Sequence, residues 1–252
     1  GGTGTRPFLV GDLPEHIETE SNSVPANAER LQLPVTLNGQ ICGERDVDFF
    51  RVTLKKGQVL VCDVLAGRIG SRLDPVVQLL DAEGRLLESQ EVRIGRDPLI
   101  ALQAPRDGDY LLRIANITFH GNAACVYRIT LSTKPLVISA VPSGGLAGTR
   151  STVEFYTLTG RPGPLAVARR EIHWTSNDGD LRPCGPRGPV LQVNRDNHLA
   201  ETEPNNSLES AGKIKAGTTV HGRLADARDV DRFVFPATKG QRYVLTVQAA
   251  IP

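Results

Sequence analysis

ETESNS at residues 18–23, followed by RDVD at 45–48, recurs as ETEPNN at 201–206 followed by RDVD at 228–231. Glu18 and Asp46 stand as far apart as Glu201 and Asp229. An acidic pair, a polar amide and a second acidic pair therefore repeat at one fixed spacing. Within 199–252, residues 201–252 carry a second copy of 18–69 at an offset of 183, with roughly 18 of 52 positions identical and no gap. Shared positions include Ala28 with Ala211, Gly39 with Gly222, Phe50 with Phe233, and KGQ at 56–58 and 239–241. Self-similarity of this kind marks an array of like domains.

Between the copies the chain reads as short strands. Val35–Leu37 and Gln40–Cys42 flank Asn38-Gly39, a hairpin signal. Phe49–Leu54 alternates with period two and ends at Lys55-Lys56-Gly57. Gln58–Leu65 follows, then Val76–Leu80, the turn Asp81–Gly84, and Arg85–Leu87. Leu99–Leu102, Tyr110–Ile114 and Val126–Leu131 complete the run, and one helical turn fits Asn27–Leu31. Strands at this spacing predict an antiparallel sandwich over 18–133. Upstream, 1–17 reads as the tail of a preceding domain and a linker, with a short strand at Phe8–Val10.

Residues 134–198 differ in character. Pro135–Val141, Ser151–Leu158, Ile172–Trp174 and Val190–Val193 read as strands, and PSGGLAG at 142–148 as a glycine turn. A small immunoglobulin-like β domain is the expectation, with Trp174, the lone tryptophan, in its core. Residues 199–252 then open a second sandwich. The chain contains no Met, begins Gly-Gly-Thr and ends within a strand-like run from Tyr243 to Ile251, so it reads as part of a longer protein.

Composition narrows the function classes. Gly (25) and Pro (17) are abundant and aromatic residues few, as in turn-rich all-β chains. A net charge of +1, with no basic stripe, argues against nucleic acid. There is no apolar run near eighteen residues, so no membrane span is expected. Cys42, Cys62, Cys125 and Cys184 form no C-x-x-C pair, which argues against a thiolate zinc site. A Cys42–Cys62 bridge and buried free thiols both remain open. The five histidines show no metal-ligand spacing, and neither HExxH nor G-x-S-x-G occurs.

The pattern E-x-E-(P)-N…A…G…D-x-D-x-F…KGQ, continued by LDPVVQLLDAEGRLL and APRDGDYLLRI, resembles the bacterial pre-peptidase C-terminal domain. The resemblance spans 18–133, and in 199–252 the family's N-terminal half. FLVGDLPE before the first copy, and P-x-V…P-x-GG-x-x-G after it, resemble large secreted proteins of planctomycete type. Such proteins alternate these domains with small immunoglobulin-like ones. The resemblance implies a jelly-roll-like β-sandwich, carried by secreted proteases and other exported enzymes and often removed on maturation. In collagenase relatives the domain binds collagen, and the linker and downstream aspartates chelate calcium.

The residue chemistry agrees with that implication, because calcium takes six to eight hard oxygens at flexible spacing. The second copy offers Glu201, Glu203, Asn205, Asn206, Asp226, Asp229 and Asp231. By resemblance Glu201, Glu203, Asn206, Asp226 and Asp229 are the leading ligands. The first copy is poorer: Ser23 replaces Asn206 and Gly43 replaces Asp226, leaving Glu18, Glu20, Asn22, Asp46 and Asp48. Against metal stands a plainer reading, in which these acids cap turns; Asp48 and Asp231, just before a strand, suit that role best. Tyr110 reads as a core or corner tyrosine.

The expected function is a non-catalytic accessory, targeting or spacer region of a secreted, periplasmic or cell-surface bacterial protein, with calcium as the candidate cofactor. Two alternatives stay open. One is the tail of a secreted peptidase or other hydrolase whose catalytic domain lies elsewhere. The other is an adhesion module for an extracellular polysaccharide or protein matrix. Other domains of the same polypeptide are the remaining expected partners.

Overall fold

The computed structural model describes residues 9–91, 97–161, 164–175, 177–185 and 187–249. Two compact units divide the chain: 1–135 with 159–164, and 136–158 with 165–252. The protein is all-β, its only helical pieces being 3-10 turns at Pro25–Asn27 and Gly67–Ile69 among the described residues.

The first unit contains β1 (Glu15–Ile17), β2 (Glu29–Arg30), β3 (Val35–Gln40), β4 (Val47–Leu54) and β5 (Val59–Leu65). Next come β6 (Pro75–Asp81), β7 (Leu86–Glu91), β8 (Leu99–Gln103), β9 (Gly108–Asn116) and β10 (Val126–Ser132). They form two five-stranded sheets, β1-β3-β10-β5-β8 and β2-β4-β9-β6-β7. Most pairs are antiparallel, but β1 runs parallel to β3 and β2 parallel to β4.

Period-two patterning builds this sandwich. In β6, Val77 and Leu79 are buried while Val76 and Gln78 are half-buried. Leu37, Phe50, Val52, Leu60, Val64, Leu112, Ile114, Ile129 and Leu131 close the same core from both sheets. Each fully buried aliphatic or aromatic side chain contributes roughly 1.5–3 kcal/mol. Tyr110 is 1% exposed, and its hydroxyl donates to the Arg106 carbonyl at 2.7 Å, which makes it the corner tyrosine of this sandwich. At the Asp81–Gly84 turn, Asp81 Oδ1 accepts from the N–H groups of Glu83 and Arg85 at 3.0 and 2.9 Å.

The Asn38-Gly39 hairpin does not form. Both residues lie inside β3, with Gly39 facing Tyr127 across to β10. Gly39 is there for clearance, because a Cβ would overlap the Tyr127 ring and the Glu18 carboxyl. Leu9 and Val10 form no strand, and Phe8 lies outside the described residues.

The second unit contains β11 (Leu136–Val141), β12 (Gly144–Leu146), β13 (Arg150–Leu158), β14 (Ala166–His173), β15 (Gly179–Leu181) and β16 (Leu191–Asn194). Two three-stranded sheets, β11-β13-β14 and β12-β16-β15, enclose Ala140, Val153, Phe155, Trp174, Leu191 and Val193. The glycine-rich 142–148 stretch is partly a strand: Gly144 and Gly145 pair parallel with β16, where a Cβ on Gly145 would overlap the Trp174 indole. Trp174 is buried as expected and donates from Nε1 to Ser151 Oγ at 2.9 Å. β14 begins at Ala166 and ends at His173, earlier at both ends than Ile172–Trp174, because residues 166–171 are all exposed and show no alternation of buried and exposed positions.

The remaining strands are β17 (Asn197–Ala200), β18 (Gly212–Lys213), β19 (Thr218–His221) and β20 (Phe233–Val234). His198 faces Thr219 and Gly212 faces Phe233, as Glu15 faces Thr36 and Glu29 faces Phe50. The two sequence copies thus share parallel pairings as well as residues. No strand forms over 243–249, and 250–252 lie outside the described residues.

All four cysteines are free thiols, so no Cys42–Cys62 bridge forms. Cys62 is buried in the core of β5, whereas Cys42 is exposed beyond the end of β3.

Candidate metal centre

In the second copy, ligand oxygens of Glu201, Glu203 and Asp231 lie within 4.8 Å of one another. β17 and β19 place Glu201 there: the Arg223 N–H donates to Glu201 Oε1, and Gly222 lets the carboxyl approach, since a Cβ would overlap it. Burial, with Asp231 and Glu203 adding their charge, raises the Glu201 carboxyl above the ordinary range. Asn205 joins this group by its backbone: its N–H donates to Glu203 Oε2 at 2.9 Å, and its carbonyl accepts from the Arg232 N–H at 3.2 Å.

The centre holds polar atoms without partners. Asn205 is fully buried, and neither its Oδ1 nor its Nδ2 is hydrogen-bonded. Glu201 Oε2 and Asp231 Oδ1 are also buried and unpartnered. Buried polar atoms are normally satisfied, and a bound ion is one of the standard reasons for an apparent exception. The set consists of hard oxygens, the chemistry calcium takes.

The structure does not bring every expected ligand to this group. Asp226 Oδ1 accepts from the Arg228 N–H at 2.7 Å, and Asp229 Oδ2 from the Ala225 N–H, so both are occupied in capping their own turn. Asn206, with its amide nitrogen turned toward them, donates to Asp229 Oδ1 at 3.0 Å and the Val230 carbonyl at 3.1 Å. Asp231, expected as a strand cap, is the aspartate that meets the two glutamates. The reason is local. The strand here begins only at Phe233, so extended-chain alternation does not apply to residues 229–231.

The first copy uses the same positions differently. Tyr127, on β10, touches Glu18 Oε2 with its hydroxyl and lies 2.7 Å from Asp48 Oδ2. One phenolic proton cannot serve two carboxylates. Burial, with Glu18 and Asp46 close by, pushes Asp48 up to about 8, so it retains its own proton at neutral pH. Burial likewise raises Glu18 and lifts Tyr127 well above the usual phenol. Asn22, like Asn205, is buried with both amide atoms unpartnered. Glu20, Cys42 and Asp46 form a separate, more exposed trio. There Asp46 Oδ2 accepts from the Cys42 N–H at 2.6 Å, and burial pushes the Cys42 thiol up to about 11.

Sequence reading missed two parts of this arrangement. Tyr127 lies 109 residues from Glu18 and carries no local signal. The clearance role of Gly39 and Gly222 was visible only as identity between the copies. Asn116, which heads an Asn-Ile-Thr glycosylation pattern, is buried and donates to the His120 carbonyl at 2.6 Å.

Fold and centre together define an all-β chain with a repeated buried acid–amide centre beside each repeat's parallel strand pairs. No family model matches the chain. It is 40% identical over 73 residues to a probable subtilase-type serine protease of Deinococcus radiodurans, a match covering 29% of this chain and 10% of the relative. The chain therefore spans about a tenth of that relative's length. Among solved structures it is similar to the pre-peptidase C-terminal domain of a Bacillus anthracis collagenase, at 15% identity and TM-score 0.35, covering 42% of this chain and 94% of that one. It is also similar to a periplasmic inhibitor of g-type lysozyme from Aeromonas hydrophila, at 12% identity and TM-score 0.30, covering 47% of this chain and 99% of that one. Among the described residues, no helix is long and apolar enough to cross a membrane.

Proposed function

We propose that this chain is a non-catalytic spacer or accessory region of a secreted or cell-surface bacterial protein, stabilised by calcium at the start of its second repeat. In this reading 18–133 and 199–252 are jelly-roll-like domains of the pre-peptidase C-terminal type, and 134–198 is an immunoglobulin-like domain between them. The observation that carries the metal is the fully buried, unpartnered Asn205 beside the Glu201, Glu203 and Asp231 oxygens. These four residues would hold the ion. When bound, calcium supplies positive charge that offsets the repulsion among three carboxylates. The chain's own part is positional: Gly222 gives clearance, and the Arg223 N–H fixes Glu201.

A second reading is favoured by the 73-residue match to a subtilase-type protease. It makes the region an appendage of a secreted peptidase, and the metal role is the same in either case.

The test is thermal unfolding with calcium and with chelator. Calcium at about a hundred times its Kd stabilises by about 2.7 kcal/mol, which raises the Tm by roughly 5–10 °C in a chain of this size. Resistance to proteolysis near 201–206 is expected to rise in parallel. Identical transitions in both buffers would remove the metal from the proposal.

A further inference from the structure

Two histidines 23 residues apart meet across the parallel β17–β19 pair: His198 Nδ1 lies 2.8 Å from His221 Nε2. The ring planes differ by 7° and the centroids are 5.1 Å apart. Stacked rings cannot bring two nitrogens closer than their interplanar separation. The rings therefore lie edge to edge in one plane, and the N···N separation plus the two ring radii accounts for the centroid distance. This is an in-line N–H···N hydrogen bond. The outer nitrogens are also engaged: His221 Nδ1 with Ser143 Oγ at 3.3 Å, and His198 Nε2 with Asn194 Oδ1 at 2.7 Å.

The chain of four has one consistent direction. Asn194 Oδ1 only accepts, so His198 Nε2 carries hydrogen and its Nδ1 is a lone pair. His221 Nε2–H must then donate to it, which leaves His221 Nδ1 to accept from the Ser143 hydroxyl. We propose that Ser143, His221, His198 and Asn194 form an acid-released latch that ties the turn before β12 and the end of β16 to the β17–β19 pair.

The latch accommodates one added proton and not two. The first goes to His198 Nδ1. His221 then moves its hydrogen to Nδ1, and the Ser143 hydroxyl rotates to accept it, so the Ser143–His221 and His221–His198 contacts reverse direction while His198 Nε2–H still donates to Asn194 Oδ1. A second proton gives two imidazolium rings edge to edge, each aiming N–H at the other, and the clasp opens. The surrounding charges fit this order. Asp196, in the turn between β16 and β17, favours the charged form of His198. Arg195 is paired with Asp178, and Arg223 lies over the Tyr156 ring. Burial outweighs Asp196 and lowers His198 overall. The second proton is the one the geometry resists, because two imidazolium N–H groups cannot share one 2.8 Å N···N contact.

The first copy supports the assignment of this position as a clasp. Its equivalents are Glu15 and Asn38, where Asn38 Nδ2 donates to Glu15 Oε2 at 2.7 Å and Arg128 Nη1 donates to both side chains. That version contains no group that titrates between pH 4 and 7 through imidazole chemistry. Acid is therefore expected to release the second clasp and leave the first closed.

The test is nitrogen-15 NMR of the imidazoles in the intact chain. At pH 7.5 His198 is expected as the Nε2–H tautomer and His221 as the Nε2–H tautomer with Nδ1 unprotonated. On acidification His198 titrates first, with a His221 tautomer switch, and His221 charges last. Ser143→Ala is an exposed-turn change that removes the acceptor needed after the first proton. It is expected to lower the proton affinity of His198 about tenfold, one pKa unit. Independent titration of both rings near 6.5, mixed tautomers at pH 7.5, or a Ser143→Ala titration identical to wild type would each overturn the latch.

Discussion

Gly39→Ala is expected to destabilise the first sandwich by about 3 kcal/mol, the upper part of the usual range for overpacking. The added methyl overlaps the Tyr127 ring, which is 2% exposed and fixed between Glu18 and Asp48. A buried ring in register with its own strand has no free rotamer to take. The matching change, Gly222→Ala, meets only the Glu201 carboxyl, the end of a flexible side chain. Its expected cost is about 1 kcal/mol, together with weaker calcium binding. Denaturant melts of both variants check this, and equal costs at the two glycines would show that the Tyr127 cluster does not constrain β3.

Trp174→Ala is expected to cost about 3–5 kcal/mol, the range for truncating a buried large aromatic. Among the described residues this core has five buried members besides Trp174, so little remains to collapse into the space. That loss is a large fraction of the 5–15 kcal/mol that typically holds a domain together. Because Trp174 is the lone tryptophan, wild-type fluorescence follows this core directly. In the variant, near-native circular dichroism signals from the first sandwich should persist while residues 136–194 become sensitive to protease. A melt indistinguishable from wild type would mean the indole adds little to that core.

Much of the fold was legible because period-two burial writes itself into sequence, as in β4 and β6. Where turn chemistry and strand pattern conflicted, tertiary clearance decided. Asn38-Gly39 and Gly144-Gly145 carry glycines that make room for Tyr127 and Trp174, and a sequence cannot distinguish that need from a turn. The candidate centre was legible as a repeat of acids and amides. Which acids converge depends on where the strand begins after RDVD, and no propensity fixes that point. The histidine pair escaped notice because parallel pairing joins residues whose spacing resembles no ligand motif.

Isothermal titration of the intact chain with calcium tests the central claim most directly. The expected result is one site, with Kd of about 10⁻⁴–10⁻³ M as in extracellular modules. Glu201→Gln and Asp231→Asn should abolish it, and Asp226→Asn and Asp46→Asn should retain it. No heat of binding in the wild type, or unchanged binding in Glu201→Gln and Asp231→Asn, would contradict a calcium centre at the start of the second repeat.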